Sequence, residues 1–284
     1  MITPFRPDGS LDLEAAQKVA THLVDHGNDT LVISGTTGEA PTTTDDEKIA
    51  LLRAVLAAVG DRAQIVAGAG SNNTAHSVES ARAAEAAGAH GLLVVTPYYN
   101  KPPQAGIKAH FVAVADATGL PVMVYDIPGR TAAAIATETL LALSEHPRIV
   151  AVKDAKGDLA ATTKMLANTD LAYYCGADES NLAWLSIGAV GIVSVVGHIA
   201  SPQYRAMITA LDAGDLVTAR SIDRGLVPAV EAIMTRTQGA IMVKAALRLA
   251  GVIEHVTTRP PLVDATAAQV DALTTDLKTA GLIA

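Results

Sequence analysis

Lys153 ends a stretch of the sequence that is otherwise apolar. The residues before it, 149–152, are all aliphatic, and Asp154 follows directly. A short run of this kind is typical of a strand buried on both faces, as in parallel sheets, where an unpaired ammonium is costly. The amine can end the strand in water, or it can act as a nucleophile toward a carbonyl group.

Imine formation requires more than the lysine itself. An ammonium group is not nucleophilic, so burial or a neighbouring cation must favour the neutral amine, and a phenol within reach can carry the protons. Tyr125 ends the preceding apolar run, and Arg130 follows shortly after it. We therefore take Tyr125 as the candidate proton carrier and Arg130 as the candidate neighbouring cation.

Further polar residues follow other apolar runs. Thr36 and Thr37 lie between two glycines just after residues 30–33, and exposed backbone N–H groups in such a turn can hold a carboxylate. Tyr99 lies in a polar segment after residues 92–95. Together these positions offer hydroxyls, phenols, one guanidinium and one amine.

The residues that several common kinds of catalysis require are absent from this chain. There is no His-Glu-x-x-His motif, the eight histidines are dispersed, and the single cysteine excludes paired thiolates, so we expect no metal site. There is also no Gly-x-Ser-x-Gly elbow of a serine hydrolase. The glycine-rich segment 68–73 is interpreted as a tight strand-to-helix turn and not as a phosphate loop.

The elements that must position these residues alternate along the chain. Amphipathic segments, one of them opening with a capping box at residues 44–47, separate the apolar runs. With the short segment 1–3 the runs predict eight strands, at residues 30–33, 64–67, 92–95, 122–125, 149–153, 172–175 and 191–195. This order predicts a (β/α)8 TIM barrel, with an open doubly wound sheet as the alternative.

The domain organisation follows from where the strands stop. We expect a barrel over residues 1–213, with its first strand truncated because the sequence begins inside it. Residues 214–284 form helical segments only and predict a C-terminal helical extension packed on the barrel. No linker rich in Pro, Gly or Ser precedes them.

Composition excludes several classes of protein. The 284 residues are half hydrophobic and carry a net charge of −8 without a basic cluster, which argues against nucleic-acid binding. No segment approaches the roughly 20 apolar residues of a membrane span. Cys175 lies in an apolar run and is expected to be a buried core thiol, and we expect a soluble cytoplasmic protein.

The sequence resembles the dihydrodipicolinate synthase and N-acetylneuraminate lyase family along nearly its whole length. Four motifs in order carry the resemblance: Gly-Thr-Thr-Gly-Glu at 35–39, Thr-Pro-Tyr-Tyr at 96–99, Tyr-Asp-Ile-Pro-Gly-Arg-Thr at 125–131 and Val-Lys-Asp at 152–154. The resemblance implies that Lys153 forms a Schiff base with C2 of pyruvate. It also implies that Tyr125 shuttles protons with Thr37, and that Tyr99 joins this relay from a neighbouring subunit.

The resemblance also implies how the substrates bind. Thr36 and Thr37 would bind the pyruvate carboxylate, while Gly176 and Val193 match backbone positions that line the site. Arg130 would hold the carboxylate of L-aspartate 4-semialdehyde, since a planar guanidinium fits that group. The expected reaction condenses the two to 4-hydroxy-tetrahydrodipicolinate, the first step of the diaminopimelate route to lysine, with no cofactor and in a homotetramer built as a dimer of dimers.

Two other functions remain open from the sequence. One is a sibling lyase or aldolase that acts on a 2-oxo sugar acid such as N-acetylneuraminate or 2-keto-3-deoxygluconate. The other is a barrel that binds a keto acid without turning it over. Family members inhibited by lysine carry two histidines and a glutamate where this chain has Asp45, Lys48 and His76, so we expect weak or absent inhibition.

Overall fold

Strands and helices alternate along the chain in the computed structural model, which describes residues 1–284. The strands are β1 (Thr30–Ile33), β2 (Gln64–Gly68), β3 (Gly91–Val95), β4 (Val122–Asp126), β5 (Ile149–Asp154), β6 (Ala172–Cys175) and β7 (Gly191–Ile192). The strands from β2 to β7 follow one another in chain order in a parallel sheet. This strand order, with a helix after each strand, confirms the predicted β/α-barrel fold class with C-terminal helices.

Twelve helices accompany the strands. They are α1 (Leu13–Asp25), α2 (Asp45–Val59), α3 (Thr74–Ala86), α4 (Gln104–Asp116), α5 (Pro128–Thr131), α6 (Thr137–Ser144), α7 (Leu159–Asn168), α8 (Asn181–Ser186), α9 (Gly197–Asp212), α10 (Leu216–Met234), α11 (Gly239–Leu249) and α12 (Ala267–Thr279). Thr44 and Glu47 form the predicted capping box at the start of α2. None of the helices combines the length and the apolar character needed to cross a membrane.

The chain divides into two compact units. One consists of Met1–Gln64 and Ser194–Ala284, and the other of Ile65–Val193. Within the first unit α10 packs against α9, α11 and α12. The separation of an extension after residue 213 stays a prediction.

The second unit contains the parallel strands that carry most candidate residues. Neighbouring strands from β2 to β7 pair in parallel, and their aliphatic side chains fill the core, as at Val94, Val124 and Val152. The register places Tyr125 opposite Lys153 and Asp126 opposite Asp154. Because side chains alternate along a strand, these two pairs lie on opposite faces of the sheet.

Two strand predictions were wrong. Residues 1–3 form no strand: the amino group of Met1 donates to the carbonyl of Val32 in β1 (2.6 Å), but the N–H of Ile2 donates to the ring of His198 (3.0 Å), so the backbone bonds do not continue as a ladder. The run at 191–195 is a strand only over Gly191–Ile192, and α9 begins at Gly197. This helix is kinked at Ala200, and Pro202 lies just after the kink.

Candidate active site

Lys153 and Tyr125 lie side by side at the carboxyl ends of β5 and β4. The Nζ atom of Lys153 is 4.2 Å from the centroid of the Tyr125 ring. Tyr125 is 5% exposed, and Lys153 is half-buried. The face of a phenol ring attracts a cation, and its hydroxyl can carry protons to and from a nearby amine. The structure therefore brings together the predicted nucleophile and its predicted proton carrier.

Gly176 borders the lysine side chain. A Cβ atom at this position would lie 2.8 Å from Cε of Lys153 and 2.9 Å from its Cγ. The N–H of Gly176 donates to the carbonyl of Asp154 (2.7 Å), and the N–H of Val193 donates to that of Cys175 (2.7 Å). The absence of a side chain at Gly176 thus leaves the space that the lysine occupies.

The opposite face of the same strands carries two buried carboxyls that the sequence analysis missed. Asp126 is fully buried and Asp154 is 4% exposed. Burial, and then the charge of Asp154, raise the pKa of Asp126 to about 7 from 3.8, despite the N–H of Ile135, which lies 3.3 Å from each carboxylate oxygen. Burial also raises the pKa of Asp154. The sequence signal for these two buried carboxyls was an aspartate at the end of each apolar run.

Asp126 makes stability depend on pH. The folded chain holds the Asp126 proton up to about pH 7 while the unfolded chain loses it near pH 4, so the free energy of unfolding falls as pH rises between these values. We expect Asp126→Asn to remove this loss. Between pH 5 and pH 8 the variant should gain about 2–3 kcal/mol relative to the unsubstituted chain, measured by urea denaturation. An equal difference at both pH values would contradict the assignment.

Arg130 and Tyr99 lie elsewhere in the second unit. Arg130 is an exposed residue of the short helix α5, where its N–H donates to the carbonyl of Ile127 (3.0 Å). Tyr99 is 87% exposed and has a left-handed backbone with φ of 73°. Both side chains are available to bind another molecule.

Thr36 and Thr37 lie in the first unit, in the turn after β1. The N–H of Gly38 donates to the carbonyl of Gly35 (3.0 Å), and the N–H of Glu39 donates to that of Thr36 (3.1 Å). Both threonines are half-buried. This turn of residues 35–39, called the threonine turn below, presents hydroxyls and backbone N–H groups that suit a carboxylate.

Cys175, the single cysteine of the chain, is a buried residue. Burial raises the pKa of the Cys175 thiol to about 12, which agrees with its interpretation as a core residue. No group of three His, Cys, Asp or Glu side chains is arranged to hold a metal ion. The arrangement that remains, an amine beside a phenol, suits imine formation with a keto acid.

Known proteins resemble this chain along its whole length. The sequence model of the dihydrodipicolinate synthetase family matches residues 1–280. The 4-hydroxy-tetrahydrodipicolinate synthase of Kineococcus radiotolerans is 63% identical over 282 residues, which cover 99% of this chain and 92% of that protein.

Solved structures give the same result. Lysine-bound dihydrodipicolinate synthase of Cyanidioschyzon merolae superposes with a TM-score of 0.96 and 40% identity, covering 100% of this chain and 97% of that one. The chloride-inhibited enzyme of Acinetobacter baumannii, complexed with pyruvate, gives a TM-score of 0.95 and 33% identity over 100% and 97% of the two chains.

Proposed function

Because the chain belongs to the dihydrodipicolinate synthetase family, we propose that it condenses pyruvate with L-aspartate 4-semialdehyde to form 4-hydroxy-tetrahydrodipicolinate. The resemblance drawn from the sequence is thereby confirmed. The reaction makes the chain a lyase of the diaminopimelate route to lysine. The observation that carries the proposal is the amine of Lys153 over the ring of Tyr125. The synthase names of its relatives favour this reaction over those of the sugar-acid aldolases and over binding without turnover.

The proposed reaction begins at Lys153. Its neutral amine attacks C2 of pyruvate, and loss of water gives an imine, with Tyr125 donating and accepting the protons. Loss of a proton from the methyl group then gives an enamine, which attacks the aldehyde carbon of the second substrate. The amine of that substrate displaces Lys153 from C2, which closes the ring and regenerates the enzyme.

The other candidate residues have proposed roles in relay and binding. Thr36 and Thr37 hold the pyruvate carboxylate, and Thr37 passes protons to and from Tyr125. Backbone groups of Gly176 and Val193 line the site. The support for these roles is the match of each position to a family motif and, for Gly176, the space it leaves for the Lys153 side chain.

Tyr99 is proposed to act in the relay of a neighbouring subunit. A phenol that is 87% exposed gains from burial against a partner, and this exposure supports an assembly of identical chains, proposed as a dimer of dimers. A cytoplasmic location is proposed from the biosynthetic role.

Arg130 is proposed to select the second substrate. Arg130→Ala is expected to lower kcat/KM for L-aspartate 4-semialdehyde by roughly 10- to 100-fold, because a charge-assisted, two-point contact with the carboxylate is lost. Arg130→Lys should recover only part of this loss, since an ammonium lacks the planar fork. The KM for pyruvate serves as the internal control and should change little. A normal kcat/KM in Arg130→Ala would remove the argument for its role.

The proposed function is tested by trapping the imine. Incubation with pyruvate followed by borohydride reduction and peptide mapping is expected to place the mass gain on Lys153. Turnover is then compared with L-aspartate 4-semialdehyde, N-acetylneuraminate and 2-keto-3-deoxygluconate. Absence of an adduct on Lys153 would overturn the catalytic proposal, while an adduct with turnover of a sugar acid only would point to the sibling activity.

A further inference from the structure

Lys244 is an ionisable residue that is fully buried in the first unit. Every residue of α11 from Gly239 to Leu247 is buried, and the side chain of Lys244 is fully enclosed. Its Nζ donates to the carboxylate of Glu39 and to the carbonyl of Thr257 (2.7 Å), and lies 4.5 Å from the centroid of the Phe5 ring. A lysine so deeply buried requires partners of this kind.

Glu39 links this lysine to the threonine turn. Its side chain is fully enclosed, and its second oxygen accepts from the backbone N–H of Arg259 (3.0 Å). Its backbone is left-handed with φ of 53°, which an L-residue adopts only when its surroundings enforce it. The N–H of Glu39 also donates to the carbonyl of Thr36 and thereby closes the threonine turn. The residue that Lys244 holds is therefore part of the turn itself.

Arg259 holds the segment between β1 and α2 at a second point. Its guanidinium donates to the carbonyl of Thr42 (2.8 Å), twice to that of Gly9 (2.9 and 2.8 Å) and twice to the carboxylate of Glu47 (2.8 and 2.6 Å). The bonds from Arg259 to the Glu47 carboxylate are the main cause that lowers the pKa of Glu47 to about 2. The connection between β1 and α2 is therefore held at two points by residues that follow α10.

We infer that Lys244 is a positioning residue for pyruvate binding: it holds Glu39, and through Glu39 it fixes the threonine turn. The inference rests on the proposed function and adds to it a role for α11. Lys244 is fully enclosed and acts on the substrate only through Glu39. A buried ion pair is weak evidence of a purely stabilising role, because well-packed apolar residues commonly replace such pairs without loss of stability.

The test compares Lys244→Met, Glu39→Gln and the double variant. Each single change is expected to raise the pyruvate concentration that gives half-maximal borohydride trapping on Lys153, and the KM for pyruvate, by about tenfold or more. The double variant should show no further rise, because both residues act through one contact. The KM for the semialdehyde should change by less than about threefold, since the threonine turn is proposed to bind pyruvate only.

Leu273→Ala is the matched control. Leu273 is a fully buried residue of α12, so its truncation is expected to lower stability while keeping both partners of the bond between Lys244 and Glu39, and half-saturation of this variant by pyruvate should stay unchanged. Should Lys244→Met fail to fold, Glu39→Gln carries the test. Folded variants with unaltered half-saturation, or an equal rise in Leu273→Ala, would overturn the inference while leaving the proposed function intact. An unsubstituted chain that forms no adduct on Lys153 would instead overturn the proposed function, and this inference with it.

Discussion

Lys153→Met is expected to abolish turnover of pyruvate and L-aspartate 4-semialdehyde, lowering kcat by at least about 10⁴-fold. Methionine matches the unbranched chain of lysine and packs in the same space, but it has no amine to form the imine. Loss of a covalent nucleophile removes the reaction path and not merely one contact, so effects of this size are typical. The measurement is steady-state product formation together with borohydride trapping by pyruvate, which should give no adduct at residue 153.

The fold should survive this change, because Lys153 is only half-buried and β5 is held by ladders to β4 and β6. Lys164→Met is the matched control: this lysine of α7 is exposed, its side chain 56% accessible, and its loss should leave turnover within about twofold. Lys156 lies nearby and provides a second check. An adduct that moves to Lys156, or turnover that persists in Lys153→Met, would show that Lys153 is not the nucleophile.

The sequence predicted the strands well wherever burial on both faces demands an uninterrupted apolar run. For β1 and β6 the predicted bounds agree with the structure at both ends, and Lys153 was placed on the correct strand. The prediction failed at residues 193–195, where two valines flank Ser194: these residues are half-buried, but the strand ends at Ile192. Apolar character reports burial, and only the hydrogen-bond ladder distinguishes a strand from another buried segment.

The site could be predicted from the sequence where a reactive side chain lies at the end of a strand. Tyr125 and Lys153 occupy equivalent positions at the ends of consecutive strands, and parallel pairing sets them side by side. The tether of the threonine turn was not predictable, because Glu39 and Lys244 are 205 residues apart and only the folded chain brings them together. A single lysine within the apolar stretch 240–247 was the signal available. It indicates a buried charge but not its partner.

Gly176→Ala is expected to lower kcat/KM by about 100-fold, although it adds only one methyl group. The new Cβ would lie 2.8 Å from Cε and 2.9 Å from Cγ of Lys153, and 3.1 Å from the carbonyl oxygen of Asp154. The carbonyl belongs to the β5 backbone and cannot yield easily, so the lysine chain must change rotamer. A displacement of about 1 Å in a reacting group can cost 10²-fold in rate.

The backbone of Gly176 does not require glycine, because it has no positive φ, so this substitution tests space and not backbone freedom. Gly225→Ala is the control: nothing lies within 4 Å of its added Cβ in α10, and stability should rise slightly. Gly176→Ala should slow imine trapping at Lys153 by a factor similar to its loss of turnover, since the amine itself is displaced. Normal trapping with slow turnover would place the effect after imine formation. Normal kinetics in both measurements would show that the added Cβ does not displace the Lys153 side chain.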